Sequence, residues 1–310
     1  MTSIAEVAEP VTISGSATSY FSAPEDHLDP NLFDGDHLRG SVRNSLLEIL
    51  FSFLNERFMH AELWCTVWIA GSGVSYQWSA ARSPGDLDVL IGVDYVQFRR
   101  THPNYVGLTN YEISQLLNED LRTGLQPETE NWDNLWEVTF YVNSDATDIR
   151  SINPYAAYNL TQDDWTVFPS AHVAPENKEW THRAAVDTRM TLNIINRYSQ
   201  ALTNLQGATN DPARRSAENA LQQAMAQGSA LFEDIHHGRK YAFSPSGAGY
   251  DDFNNYRWQA GKASGAVGAL KKLHDYLHSA KESQEKETYG IELPDSRTLI
   301  RRAALYRSNG

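Results

Sequence analysis

Between Leu63 and Asp94 the chain reads LWCTVWIAGSGVSYQWSAARSPGDLDVLIGVD, and no other stretch constrains the fold as tightly. An apolar run ends in Gly71-Ser72, a short helical insert follows, Ser83-Pro84-Gly85 marks a turn, and a second apolar run opens with Asp86-Leu87-Asp88. Residues two apart on a strand share a face, so Asp86 and Asp88 project together while Leu87 and Val89 turn into a core. Two carboxylates on one face repel unless a cation lies between them. Hard oxygen donors in this number suit Mg²⁺, which takes one or two carboxylates together with substrate phosphates. The expectation is a metal-phosphate site at the start of the second strand.

The rest of the composition sets the setting for such a site. A chain of 310 residues with 41% hydrophobic content has the material for two domains with proper cores. Its net charge of −13 argues against a broad nucleic-acid surface, since affinity for phosphate backbones comes from clustered Lys and Arg. Cys65 is the single cysteine, which excludes an intrachain disulfide and a zinc knuckle. No signal-peptide pattern opens the chain and no apolar run reaches a membrane-spanning length, so the expected location is cytoplasmic, with no membrane partner.

Taken in order, residues 1–30 lack a sustained period and read as a flexible N-terminal arm or a loosely docked segment. Leu38, Val42, Leu46, Ile49, Phe53 and Leu54 space out an amphipathic helix from 38 to 58. The two strands follow at 63–70 and 86–93. Thr109-Asn110-Tyr111-Glu112 is a capping-box pattern that starts another helix, and 126–134 reads as a polar loop. Trp136–Val142 is β-branched and aromatic. With 147–158, which begins as a strand and stops at Pro154, it suggests an antiparallel hairpin. Beyond about residue 175 the period is helical throughout. One helix runs through Trp180 to Leu202, another opens at Asp211-Pro212 and stops at Gly238, a third runs from Asp251 or Asp252 to His278, and a short one starts at Pro294-Asp295-Ser296. The fold class is therefore α+β: a mixed β-sheet flanked by helices in 31–170, followed by an α-helical bundle in 171–310.

Gly-Ser after a strand and Asp-x-Asp at a strand start are each common. Together, with thirteen residues between them and in this order, Gly71-Ser72 and Asp86-Leu87-Asp88-Val89 resemble the signature of the DNA polymerase β-like nucleotidyltransferase superfamily. In that family a third acid stands on a later strand. Asp148, in Asp148-Ile149-Arg150-Ser151-Ile152-Asn153-Pro154, is similar to the Asp-hydrophobic stretch of the CCA-adding and oligonucleotide-synthase branches, and Glu137 on the preceding strand is the competing candidate. The resemblance covers residues 40–160. It implies a metal-dependent nucleotidyltransferase moving a nucleoside monophosphate from a nucleoside triphosphate such as ATP to an acceptor hydroxyl, with release of pyrophosphate. Gly71 and Ser72 would grip the β- and γ-phosphates. Asp86, Asp88 and Asp148 would hold Mg²⁺ (or Mn²⁺), and Asp148 would also orient the acceptor. The acceptor stays open among RNA or a tRNA end, a second nucleotide, a protein and a small molecule.

In the helical half, Arg257 and Lys262 are candidate triphosphate contacts that would complete the cleft, with Trp258 or Tyr256 as a stacking surface. The alternative is a core tryptophan and a solvated cationic face. His236-His237 carries no carboxylate partner at ligand spacing and reads as the end of a helix rather than a metal site. Two other functions fit parts of the pattern: a catalytically inactive nucleotide- or partner-binding protein of a toxin-antitoxin or defence system, and a metal-dependent glycosyltransferase using Asp86-x-Asp88.

Overall fold

The computed structural model describes residues 8–15, 21, 23–80, 84–144, 147–289 and 296–308. They form two compact units, one built on a mixed β-sheet and one of helices, so the fold is α+β.

The sheet unit contains 23–173, Phe243–Tyr250 and the last described helix. A two-stranded ribbon, β1 (Phe33–Asp34) and β2 (His37–Leu38), leads into helix α1 (Gly40–Asn55), whose Val42, Leu46, Leu50, Phe53 and Leu54 are buried at three- and four-residue spacing. One helical turn, α2 (Ala61–Trp64), precedes β3 (Cys65–Ala70), and β4 (Gly85–Val93) returns antiparallel to it with Ala70 opposite Asp88. The Ser83-Pro84-Gly85 turn lies partly outside the described residues. Helices α3 (Tyr95–Thr101) and α4 (Asn110–Asp120) then carry the chain across one face of the sheet. Asp94 caps α3 through Val96 N and Gln97 N, and the capping box of Thr109 and Glu112 starts α4. A crossover of this length is what a parallel pairing requires, and β5 (Trp136–Val142) does run parallel to β4. The side chain of Asn118 on α4 locks the crossover by bonding both backbone groups of Val142, at 2.9 and 2.7 Å.

Two expectations fail here. Residues 126–134 are not all loop: a π-type turn at Leu121–Leu125 continues into α5 (Gln126–Thr129), where Thr129 Oγ1 donates to Val138 O at 2.9 Å. Nor do 136–142 and 147–158 make an antiparallel hairpin. Asp148 caps a 3₁₀ turn at Ile149–Ile152, Asn153 leaves it with φ 48°, and the chain goes on to β6 (Ala157–Asn159), which pairs with β3 instead. With β7 (Asp164–Val167) the sheet has the order β5-β4-β3-β6-β7.

The helical unit comprises α6 (Lys178–Gln206), α7 (Asp211–Ala242), α8 (Phe253–Ser264) and α9 (Ala266–Tyr289), around a core of Tyr198, Leu221, Met225, Ile235, Leu270 and Leu273. Helix α7 passes through Gly238 rather than stopping there. The single helix expected to reach His278 is broken at Gly265, which caps α8 with φ 80° and admits the backbone of Ser14 to within 2.7 Å of where a Cβ would stand. Of the two readings of the N-terminal stretch, residues 8–15 follow the docked one: Val11 is 4% exposed in the helical core, and Tyr198 donates its hydroxyl to Glu9 O at 2.7 Å. The terminal helix α10 (Ser296–Ser308) belongs to the other unit, where Arg301 reaches the buried Asp120 and Arg307 reaches Glu112 at 2.9 Å.

Candidate functional site

Pairing register decides which acids can meet. Leu87, Val89, Ile91 and Val93 of β4 are almost wholly inaccessible, so the alternation leaves Asp86 and Asp88 on the opposite face, both half-buried. On the parallel neighbour β5, Asp86 pairs with Glu137, and Asp88 pairs with Thr139. In-register residues share a face about 4.8 Å apart. Asp86, Asp88 and Glu137 therefore form a carboxylate triangle across the starts of two adjacent strands, with Glu137 exposed.

The Gly71-Ser72 turn closes one side of this triangle. Gly71 adopts φ 93°, ψ −162°, a conformation open essentially to glycine alone. A Cβ there would stand 3.2 Å from Asp88 Oδ2, so the carboxylate lies directly against the backbone of the turn. Ser72–Val74 forms a single 3₁₀ turn that Ser75 fastens by donating its hydroxyl to Ser72 O at 3.0 Å. Gly73 is pressed against Asp86 O, where a Cβ would come to 2.7 Å. The turn and the acidic strand start are thus one packed unit, built by the Ala70–Asp88 pairing.

Asp148 is placed elsewhere. Thr147 O packs against Gly92, four residues along β4 from Asp88, which is about 13 Å of strand. Its carboxylate accepts from Arg150 N at 3.0 Å and from Arg150 Nε at 3.0 and 3.1 Å. That guanidinium, more than anything else around it, holds the Asp148 pKa below the usual carboxylate range. The register of β4 and β5 sets Glu137 beside Asp86, while the Asp148 carboxylate is held by Arg150.

Arg257 and Lys262 lie in the helical unit. Arg257 is 15% exposed and its fork is already filled: Nε and Nη2 donate to Asp187 at 2.6 and 2.9 Å, and Nη1 lies 2.7 Å from Asp234. Tyr256 is buried with its hydroxyl 3.0 Å from Thr181 Oγ1, and Trp258 packs on the helical core with Arg239 over its ring at 4.9 Å. Trp258 thus packs as the alternative reading of the sequence had it, whereas Arg257 is a buried ion-pair partner rather than part of a solvated face. Lys262 occupies the last turn of α8, half-buried.

Sequence reasoning missed an aromatic group beside the turn. Gly71 N donates to Ala156 O at 3.4 Å, and the preceding Tyr155 packs edge-on to Tyr250 at 4.4 Å. His172 stacks on Tyr250 at 4.2 Å and receives the Gln77 side chain on its carbonyl. No local pattern joins residues 155, 172 and 250. Only the closure of 243–250 back onto the sheet unit assembles them.

As a donor set, three carboxylates beside a glycine-rich turn suit a hard divalent cation. They share a face, and gathering them on one ion takes side-chain rotation. Among the described residues, the one group of three whose ligand atoms already lie within 4.8 Å of one another is Glu233, His274 and His278 in the helical unit. No described helix is long and apolar enough to cross a membrane. Compared with known proteins, the chain matches no family model, no curated protein and no solved structure.

Proposed function

We propose that the chain is a metal-dependent nucleotidyltransferase, transferring a nucleoside monophosphate from a nucleoside triphosphate to an acceptor hydroxyl. The observation that carries this reading is the register of β4 and β5, which sets Glu137 beside Asp86 on the face that also holds Asp88, against the Gly71 turn. Three carboxylates on one face are a donor set suited to a hard divalent cation.

In this reading Asp86, Asp88 and Glu137 hold Mg²⁺ or Mn²⁺. The ion, when bound, neutralises charge on the triphosphate and on the departing pyrophosphate. Gly71 keeps its backbone free of a side chain, so that phosphate oxygens approach the turn as closely as Asp88 already does. Ser72 offers its hydroxyl beside them. Glu137, which is exposed, accepts the proton of the incoming hydroxyl in this reading. Asp148, committed to Arg150, is left out of this chemistry. The acceptor classes remain an RNA end, a nucleotide, a protein and a small molecule. The net charge of −13 favours an acceptor that needs only a local contact.

The test is transfer from each α-labelled nucleoside triphosphate, with Mg²⁺ or Mn²⁺, to separated RNA, protein and small-molecule fractions, with Asp86→Asn/Asp88→Asn beside the wild type. Label in one fraction that disappears in the double variant supports the reading and names the acceptor class. A folded wild type that binds triphosphate but labels no fraction overturns it in favour of a catalytically inactive nucleotide-binding protein.

A further inference from the structure

The helical unit carries a second arrangement of ligand-type side chains, independent of the acidic face. On α9, His274 and His278 are four residues apart, each directly following a core leucine, Leu273 and Leu277. Residues at this spacing lie one above the other on a helix, and their rings stand 4.5 Å apart, centroid to centroid. Across the helix pair, Glu233 on α7 directly follows Phe232, which packs in the same core. Because Phe232, Leu273 and Leu277 are fixed by the core, the three polar neighbours are held at one seam between the two helices, and their ligand atoms lie within 4.8 Å of one another.

Further features resemble a built site more than chance proximity. His274 does not hang freely: its Nδ1 lies 2.9 Å from the hydroxyl of Ser229, one helical turn before Glu233 on α7, and 3.7 Å from Glu233 Oε1. Ser229 is itself 5% exposed and its hydroxyl holds Nδ1, so the ion takes the opposite nitrogen, Nε2, and Glu233 turns past Nδ1 to reach it. Asp275, the neighbouring acid, is drawn away to Lys271 at 2.8 Å and leaves the seam to the three ligands.

We propose that Glu233, His274 and His278 bind one divalent ion of the zinc class, clipping α7 to α9. Two imidazoles and a carboxylate suit Zn²⁺, Co²⁺ or Ni²⁺ rather than the all-oxygen preference of Mg²⁺. Ligand bonds of about 2.0–2.1 Å at tetrahedral angles need donor separations of about 3.3 Å. Closing from the present spacing takes rotation of Glu233 and His278, both exposed, while the half-buried His274 stays in place. A set of three protein ligands leaves the fourth position open, and at this exposed seam water fills it. Such an ion joins the two helices across the same seam as their core, so its binding free energy adds to the stability of the helical unit.

The test uses the full chain without a polyhistidine tag, titrated with Co²⁺ and read by its visible ligand-field absorption, then displaced by Zn²⁺, with Mg²⁺ as a separate titrant. The expected result is a tetrahedral-type band that saturates at one Co²⁺ per chain, competed by Zn²⁺ and not by Mg²⁺; Co²⁺ on the carboxylates, with oxygen donors alone, does not add to that band. His278→Ala, at an exposed position that does not threaten folding, should weaken binding about 100-fold or more, the scale at which even supporting residues of metal sites matter. His237→Ala, an exposed histidine on the same α7, should leave the titration unchanged. Absence of the band, its survival in His278→Ala, or its loss in His237→Ala each overturns the proposal.

Discussion

His236 offers a quantitative handle on the helical unit. Its ring stacks on Phe232 at 5.4 Å and lies 5.7 Å from Trp258. Burial, reinforced by Lys240, Arg239, His237 and His274, pushes its pKa down to about 4. A histidine whose folded pKa is depressed contributes stability that is fully present above its unfolded value near 6.5 and is lost as pH falls toward the folded value. Between pH 7.5 and 5.0 the unfolded chain takes up the proton and the folded chain does not. Linkage over that window gives about 2 kcal/mol if the whole shift operates, and about 1 kcal/mol after allowing for solvent screening of a ring at the edge of the core. His102, also depressed chiefly by burial, adds a loss of the same sign in the sheet unit. The perturbation is therefore His236→Phe, which keeps the aromatic stack and removes the titration. Urea denaturation followed by far-ultraviolet circular dichroism at pH 7.5 and 5.0 should show the variant losing about 1–2 kcal/mol less than the wild type between the two conditions. Imidazole NMR should find His236 still largely neutral at pH 5. Equal losses in wild type and variant, or His236 titrating above pH 6, would refute the reasoning.

The remaining predictions concern single residues. Glu137→Gln should lower nucleotidyl transfer about 100-fold or more, the scale of removing one charge-stabilising group, whereas Asp148→Asn should stay within about threefold; steady-state rates under saturating Mg²⁺ check both, and the reverse order would move the third carboxylate to Asp148. Gly71→Ala should cost about 1–3 kcal/mol in urea denaturation, from the φ of 93° and the 3.2 Å approach to Asp88. Arg257→Ala should destabilise by about 3–5 kcal/mol, because it strands Asp187 in a site where the pair is about 15% exposed. In whatever fraction of that variant remains folded, triphosphate affinity should be unchanged, which a direct-contact role would not allow.

Periodicity and capping chemistry carried most of the fold. The helix from Gly40, the capping box at Thr109, the strand starting at Asp86 and the glycine at 71 are each written in a few adjacent residues, and each stands close to where those residues put it. What was not legible depends on partners distant in sequence. Asp148 and Glu137 both follow β4 at plausible separations, and a hairpin would have been compatible with either. The parallel crossover through α3 and α4 sets Glu137 beside Asp86, and Asp148 caps the turn at 149–152. Arg257 looked like a free cation because Asp187 and Asp234 lie 70 and 23 residues earlier in the chain. The paired histidines drew attention to 236–237, where adjacent helical positions diverge. The informative spacing was the four residues from His274 to His278, and its acid partner comes from another helix.

The two proposed ion sites differ in donor chemistry, and that difference makes them separately testable in one molecule. Carboxylates alone on β4 and β5 discriminate poorly among Mg²⁺, Mn²⁺ and Ca²⁺ but offer nothing soft. The imidazole pair on α9 offers little to Mg²⁺ and much to Zn²⁺ or Co²⁺. Substituting His278 should therefore leave the Mg²⁺ dependence of any transfer reaction untouched, and substituting Asp86 or Glu137 should leave the Co²⁺ band untouched. Were His278→Ala to abolish transfer while the chain stayed folded, the imidazole site would be serving the reaction itself, and the separation drawn from donor chemistry would fail. Were Asp86→Asn to erase the Co²⁺ band, the ion would be bound at the sheet face, and Glu233, His274 and His278 would be no more than neighbours on a helix seam.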